Sequence, residues 1–322
     1  MLIPILYLIV GLALLYFGGE GLVRGAAGLA LRLGLTPLAV GLTVVAFGTS
    51  CPELAVSLNA AIENKGDVSM GNVVGSNIAN IGLILGLTAL IKPIGVHMQL
   101  LRFDVPLLAA VSVAFVLAVH DRSLGRAEGA FLVAGLVAYV LIVLRLARQE
   151  GKAVQAEYAE ELAADVPPGG KLWMQLLLIV AGLVMLVVGG RLFVDGAVQL
   201  ARMLEISEAV IGLTIVAIGT SLPELSASLI AAARGHSDIA VGNVVGSNLF
   251  NILNILGFTG LIKPITFPGI DGIDFAVMLV FSLALFPLLW TGQRLNRLEG
   301  TLLLLAYAAY LGWRGVGGPG AA

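Results

Sequence analysis

Residues 41–93 read GLTVVAFGTSCPELAVSLNAAIENKGDVSMGNVVGSNIANIGLILGLTALIKP, and residues 212–264 read GLTIVAIGTSLPELSASLIAAARGHSDIAVGNVVGSNLFNILNILGFTGLIKP. The two stretches align without a gap at an offset of 171 residues (212 − 41), with about three positions in five identical. An apolar composition yields chance matches of Leu, Val and Ala. It does not put Thr, Ser, Pro, Glu and Asn in one register, and those polar residues match best here. Fainter echoes run upstream, with Gly18 and Gly19 set against Gly189 and Gly190. The chain is read as a duplication.

Each copy is built for a membrane. Of 322 residues, 59% are hydrophobic and only 12% charged, against about 25% charged in a soluble domain. Mean hydropathy is +1.01. A membrane helix needs about 20 mostly apolar residues. Ten segments qualify, near 2–22, 37–61, 70–91, 103–120, 127–147, 172–193, 208–233, 241–262, 274–291 and 298–314. The N-terminal stretch has no Lys or Arg before Arg24, so it is read as the first span and not as a secretory signal. The expected fold class is an all-α membrane protein with ten transmembrane helices in two inverted five-helix repeats. Five spans is an odd number, so the second copy enters from the opposite side, an arrangement common in secondary transporters.

The domain organisation follows: 1–148 is the first repeat, 149–171 a linker, and 172–322 the second, inverted repeat. The polar stretch from Arg145 to Lys171 holds five acids and Pro167-Pro168-Gly169-Gly170. It is too short to be a folded regulatory domain. The larger share of the 18 Lys and Arg residues falls on the side of the odd-numbered connections. Positive residues favour the cytoplasm, which puts both termini outside and the 149–171 loop in the cytoplasm of a multi-pass protein of the plasma (inner) membrane.

Several classes are excluded. The net charge of −2 and the lack of a basic block leave nothing for nucleic acid to bind. The lipid bilayer is the expected partner, with no obligate protein partner evident. The single cysteine, Cys51, permits no internal disulfide; its repeat mate is Leu222, so it is read as a small packing residue. His97, His120 and His236 lie near span ends and are read as solvated. The protein is not expected to be an enzyme, because no His lies near Ser50 or Ser221 to activate a nucleophile. No cofactor is implied. Gly71 and Gly75 are read as letting the third span press against the second.

The polar residues inside the spans carry the functional argument. Glu53 and Glu224 hold matched places in the second and seventh spans. An acid at a helix centre costs about 2.5–3.5 kcal/mol on insertion scales. No Lys or Arg lies at similar depth, so the expected compensator is a bound cation, or a proton in its absence. Ala46, Thr49, Ser50 and Ser57 share a helix face with Glu53 by three- and four-residue spacing, and Thr220, Ser221 and Ser228 repeat the pattern around Glu224. Asn72, Ser76 and Asn80 line one face of the third span, as Asn243, Ser247 and Asn251 do in the eighth. All offer oxygen, the preference of hard cations such as Na⁺, Ca²⁺ and Mg²⁺. Pro52 and Pro223 break the helix and free carbonyls near Gly48 and Gly219, adding further oxygen ligands.

The paired motifs GTSCPE…GNVVGSNIAN and GTSLPE…GNVVGSNLFN resemble the two alpha-repeats of the cation/calcium exchanger superfamily, most closely the prokaryotic sodium/calcium exchangers. The resemblance covers essentially the whole chain. It implies an ion-binding core of the second, third, seventh and eighth helices, with long first and sixth helices that slide past it. It further implies that Glu53 and Glu224 are the shared Ca²⁺ and Na⁺ carboxylates and that the carbonyls of Thr49 and Thr220 complete a Ca²⁺ site. Flanking Na⁺ sites would use Ala46, Ser50 and Ser76, and Ala217, Ser221 and Ser247, with Asn80 and Asn251 at the central position. Some relatives carry an acid where this chain has Asn251, which argues against a K⁺ requirement. The GNATE-like motif typical of proton-coupled relatives is lacking. The expected activity is Na⁺-for-Ca²⁺ antiport by alternating access, with exchange of H⁺ for Ca²⁺ or another divalent cation on the same fold as the alternative.

Overall fold

A computed structural model describes residues 2–149, 171–205 and 217–317. Most of the 149–171 linker and the first part of the seventh expected span therefore lie outside the described residues. The described residues are helical almost throughout. The helices are α1 (Leu2–Leu33), α2 (Pro37–Thr49), α3 (Cys51–Ile62), α4 (Gly66–Ile91), α5 (Leu100–Ala118) and α6 (Arg126–Gln149), then α7 (Leu172–Met203), α8 (Leu222–Arg234), α9 (Ser237–Ile262), α10 (Gly272–Trp290) and α11 (Arg297–Gly317). Among the described residues seven helices are long and apolar enough to cross a membrane, or eight if the pair α2 and α3, bent by 44°, is one span.

Matched elements recur at the repeat offset. π-helical turns run over Asn80–Leu85 in α4 and Asn251–Leu256 in α9. Short strands lie at β1 (Ile94–Gly95), β2 (Ser123–Leu124), β3 (Ile265–Thr266) and β4 (Arg294–Leu295). Strand β1 pairs antiparallel with β4, and β2 with β3.

The chain divides into two compact units that cut across the sequence copies. One is Met1–Thr49 with Tyr139–Gly246, and the other is Ser50–Ala138 with Ser247–Ala322. Each unit draws on both copies.

In the first unit α1 and α7 lie antiparallel, and the seam between them is made of glycine. A Cβ at Gly11 would meet the backbone of Gly189 and Phe193, and one at Gly18 that of Gly182 and Leu186. Gly25 meets Gln175 and Ile179, and Gly196 meets Pro4 and Leu8. The glycines recur every seven residues on each helix, the spacing that keeps one face against a neighbour over many turns. Both helices run past the ends expected from hydropathy, 22 and 193. The polar step that marked the end of α1 is absorbed locally: Arg24 pairs with Glu20 at 2.8 Å on the same helix face, and Glu20 also accepts from Arg234 at the end of α8. Helix α9 presses on α2, where Gly242 and Gly246 would meet the backbone of Leu38 and Leu42. Helix α8 ends at Gly235 with a positive φ of 95°, and the His236 amide closes it by donating to the Ala231 carbonyl at 2.8 Å. His236 is buried in this turn, contrary to its reading as a solvated residue.

In the second unit α4, α5, α10 and α11 pack together with α3 and the C-terminal half of α9. Glycines again set the approach: Gly82 meets Tyr307 and Phe281, and Gly86 meets Gly300. The expected role of Gly71 and Gly75 is not met. Gly75 has open space beside it, and the nearest neighbour of Gly71 is Ile270. Asp274, in the capping box of α10, accepts from Tyr310 at 2.8 Å and Arg314 at 2.7 Å, tying α10 to α11. Between α3 and α4, Lys65 donates to Glu63 at 2.7 Å and holds that exposed carboxyl below its ordinary range.

Candidate functional site

The local sequence explains how the two glutamates come to be buried. Proline has no N–H to give to the carbonyl four residues back, so a helix tends to restart at it. Here α2 stops at Thr49, Ser50 leaves helical geometry (φ −82°, ψ 2°), and α3 starts with Pro52 in its first turn. The second copy does the same: Ser221 (φ −89°, ψ 6°) precedes α8, with Pro223 in its first turn. Glu53 and Glu224 thus sit in matched first turns, where the helix dipole favours negative charge. Each is 1% exposed.

An asparagine holds each of these turns from the neighbouring helix. In the second unit, Asn72 Nδ2 donates to the Glu53 carbonyl at 3.2 Å and to Ser57 Oγ at 2.9 Å. Ser57 Oγ in turn donates to the Ser69 carbonyl at 3.3 Å. In the first unit, Asn243 Nδ2 donates to the Glu224 carbonyl at 3.3 Å and to Ser228 Oγ at 2.9 Å. The Asn243 oxygen adds a further link, accepting from Thr49 Oγ1 at 3.2 Å. One side chain therefore joins Thr49 of the first copy to Glu224 of the second. Thr49 Oγ1 also lies 3.1 Å from the Val45 carbonyl and 3.4 Å from that of Ala46, three acceptors for one proton.

Of the residues singled out from sequence, the first unit contains Ala46, Thr49, Ala217, Thr220, Ser221 and Glu224, and the second contains Ser50, Glu53, Ser76, Asn80, Ser247 and Asn251. Ala46, Thr49, Ser50, Ser76, Ser221, Ser247, Asn80 and Asn251 are buried, and Thr220 is half-buried. Ser221 Oγ, Ser247 Oγ, Asn80 Oδ1 and Asn251 Oδ1 are buried oxygens with no hydrogen-bond partner among the described residues. Such groups ordinarily find a partner. A buried oxygen left without a partner is chemistry that a hard cation accepts. Cys51 is exposed, not packed as expected; it lies on the face of α3 opposite Glu53 and Ser57.

Sequence reasoning passed over three features. Asn77 and Asn248, in the two GSN triplets, are buried and bonded across α4 and α9; their signal was a matched polar residue one step after each serine. The glycine seam of α1 and α7 was signalled by its seven-residue spacing. Asp104, buried in α5 with neither carboxyl oxygen partnered among the described residues, has phenylalanine at its repeat position and so gave no repeat signal.

The family model described as sodium/calcium exchanger protein matches residues 3–145 and again 174–316, two stretches that are themselves 171 residues apart (174 − 3). The chain is 40% identical over 316 residues to the inner membrane protein YrbG of Escherichia coli K12, covering 97% of this chain and 96% of that one. It is 34% identical over 338 residues to the sodium/calcium exchanger MaX1 of Methanosarcina acetivorans, covering 95% and 97%. The solved structure of the sodium-calcium exchanger NCX_Mj soaked with Na⁺ and Sr²⁺ superposes with a TM-score of 0.82 at 31% identity, covering 97% of this chain and 98% of that one. The chain belongs to the sodium/calcium exchanger family. It is a multi-pass membrane protein of the cation/Ca²⁺ exchanger class, a class of antiporters and not of catalytic enzymes.

Proposed function

We propose that the chain is a secondary active antiporter exchanging Na⁺ for Ca²⁺ by alternating access, with Glu53 and Glu224 binding the competing cations. The observation that carries the reading is Asn243, which hydrogen-bonds Thr49 of one copy and the Glu224 turn of the other. It brings one proposed ligand residue from each copy to the same side chain.

The coordination chemistry is consistent. Ca²⁺ takes six to eight oxygen ligands. Two carboxylates supply up to four, and the carbonyls of Thr49 and Thr220 supply two more. Ser50, Ser76, Ser221, Ser247 and the carbonyls of Ala46 and Ala217 are the flanking Na⁺ ligands, with Asn80 and Asn251 in the central position. No resident cofactor is part of this reading; Ca²⁺ and Na⁺ are the cargo. With the site empty, two bare carboxylates resist the switch between open states, which favours exchange over leak.

The architecture in this reading is ten helices in two inverted repeats, 1–148 and 172–322, joined by a cytoplasmic linker at 149–171 with both termini outside the inner membrane. Support comes from the matched helices α1 and α7, which run antiparallel, as inversion requires. YrbG, by name an inner membrane protein, supports the location.

The test is ⁴⁵Ca²⁺ uptake into Na⁺-loaded proteoliposomes diluted into Na⁺, K⁺ or choline medium, with and without a pH gradient. Uptake that requires the outward Na⁺ gradient is expected. Uptake that ignores Na⁺ and follows the pH gradient would replace Na⁺ coupling with H⁺ coupling. Flux with no counter-ion at all would reject antiport.

A further inference from the structure

Four buried asparagines meet between α4 and α9 in the second unit. Asn80 Nδ2 donates to Asn248 Oδ1 at 3.3 Å, and Asn251 Nδ2 donates to Asn77 Oδ1 at 3.1 Å. The repeat offset carries one bond onto the other: Asn80 maps to Asn251, and Asn77 to Asn248. The same device is therefore built twice. All four side chains are 0–1% exposed.

A carboxamide has one oxygen that accepts and an NH₂ that donates. A cation must be met by the oxygen. Nothing in an isolated asparagine decides which end faces inward, since rotation about its last torsion exchanges the two. A fixed acceptor on the neighbouring helix does decide it, by capturing the NH₂. Asn77 also shows which way the amides run. Its Nδ2 faces the sulfur of Met278 at 3.7 Å, a weak acceptor, which leaves its oxygen for Asn251. The outcome is asymmetric within each pair. Asn80 Oδ1 and Asn251 Oδ1 are left over, buried and with no partner among the described residues. Helix-to-helix glue would be expected to satisfy its oxygens.

We propose that Asn77 and Asn248 are positioning residues that hold the carboxamides of Asn251 and Asn80 with their oxygens turned to the transported cation. The inference rests on the cation-exchange reading above and adds the residues that orient its central ligands. Asn248 Nδ2 has no partner among the described residues, so its role here is that of an acceptor only. An aspartate in its place keeps that role; a leucine of similar shape removes it. Outer-shell partners of metal ligands typically contribute 10- to 100-fold in affinity.

The experiment is ⁴⁵Ca²⁺ uptake by Na⁺-loaded proteoliposomes of the full chain, wild type against N248L, N77L, N248D and N77D, fitting the half-saturating Ca²⁺ concentration and the maximal rate separately. Expected is a rise of about tenfold or more in half-saturation for each leucine variant, with a smaller change in maximal rate, and recovery toward the wild-type value in each aspartate variant. Should a leucine variant fail to fold, alanine replaces it, and Ca²⁺ protection against thermal unfolding is read in detergent. Wild-type half-saturation in the leucine variants overturns the proposal. So does an aspartate variant as impaired as its leucine counterpart. A wild type that takes up no Ca²⁺ refutes the exchange reading itself and this proposal with it, whereas wild-type uptake with indifferent leucine variants refutes the positioning role alone.

Discussion

Replacing Gly182 by alanine tests the glycine seam of α1 and α7 quantitatively. The added Cβ would stand 2.7 Å from the Gly18 carbonyl oxygen and 2.7 Å from the Leu22 amide nitrogen, both backbone atoms that cannot swing aside. Ordinary contact begins at 3.4 Å, so the helices must part locally by about 0.7 Å (3.4 − 2.7). A gap of 0.5–1 Å forfeits about a quarter to a half of the dispersion well for the atoms facing it. Overpacking of this kind costs roughly 1–3 kcal/mol. Alanine offsets some of that, being favoured over glycine in a helix by up to about 1 kcal/mol. The net expectation is destabilisation by about 1–2 kcal/mol. Gly21→Ala on α1 is the control. Its Cβ would lie 3.5 Å from the Leu178 oxygen and 3.8 Å from the Gly182 Cα, ordinary contact, so it gains the propensity without the clash. The assay is unfolding of the two purified variants in one detergent, by heat and by SDS titration. G182A unfolding at or above G21A would refute the close-seam argument.

Three further outcomes follow from the site. Glu53→Gln and Glu224→Gln should each abolish Na⁺-dependent Ca²⁺ uptake while the protein stays monodisperse; robust Ca²⁺ transport by either would remove that residue from the proposed ligand set. Asn251→Asp should change the relative dependence on Na⁺, K⁺ and Ca²⁺ by adding a third carboxylate, and unchanged dependence in matched media would show that the central position does not set selectivity. Asn243→Ala removes three interhelical bonds, to the Glu224 carbonyl, Ser228 Oγ and Thr49 Oγ1, of which the Thr49 hydroxyl is compensated by the Val45 and Ala46 carbonyls it already faces; the other two are each worth about 0.6 kcal/mol in a membrane bundle. A loss of roughly 1 kcal/mol is expected in the same unfolding assay, and none at all would mean that this frame is slack.

What the sequence made legible and what it hid divide along physical lines. Hydropathy marks apolar helices, so the ends of most described helices were placed within a few residues. It also stops at polar residues, which is why α1 was ended near 22 although it runs to Leu33. Glu20 is tolerated there because Arg24 and Arg234 neutralise it, and a partner 214 residues away in sequence leaves no local trace. The glutamates, serines and asparagines of the motif were legible because duplication printed them twice. Asp104 was not, because it occurs once. Cys51 and His236 were misread for one reason: position along a span does not say which way a residue faces. Nor could a linear reading foresee compact units that each combine chain from both copies.

That interleaving has a consequence for how the copies act on each other. Where one copy meets the other, the contacts come in reciprocal sets. Gly11 sits against Gly189 and Gly18 against Gly182; β1 pairs with β4 and β2 with β3; Asn80 donates to Asn248 and Asn251 to Asn77. In each set the offset of 171 turns one contact into the other. A substitution at any of these positions therefore has a mate that performs the same task in the other copy, and either alone leaves half of the device intact. In the first unit the Thr49–Asn243–Glu224 bridge passes through one residue. It recruits a threonine from one copy and a glutamate turn from the other through a single side chain, so a change at Asn243 reaches both.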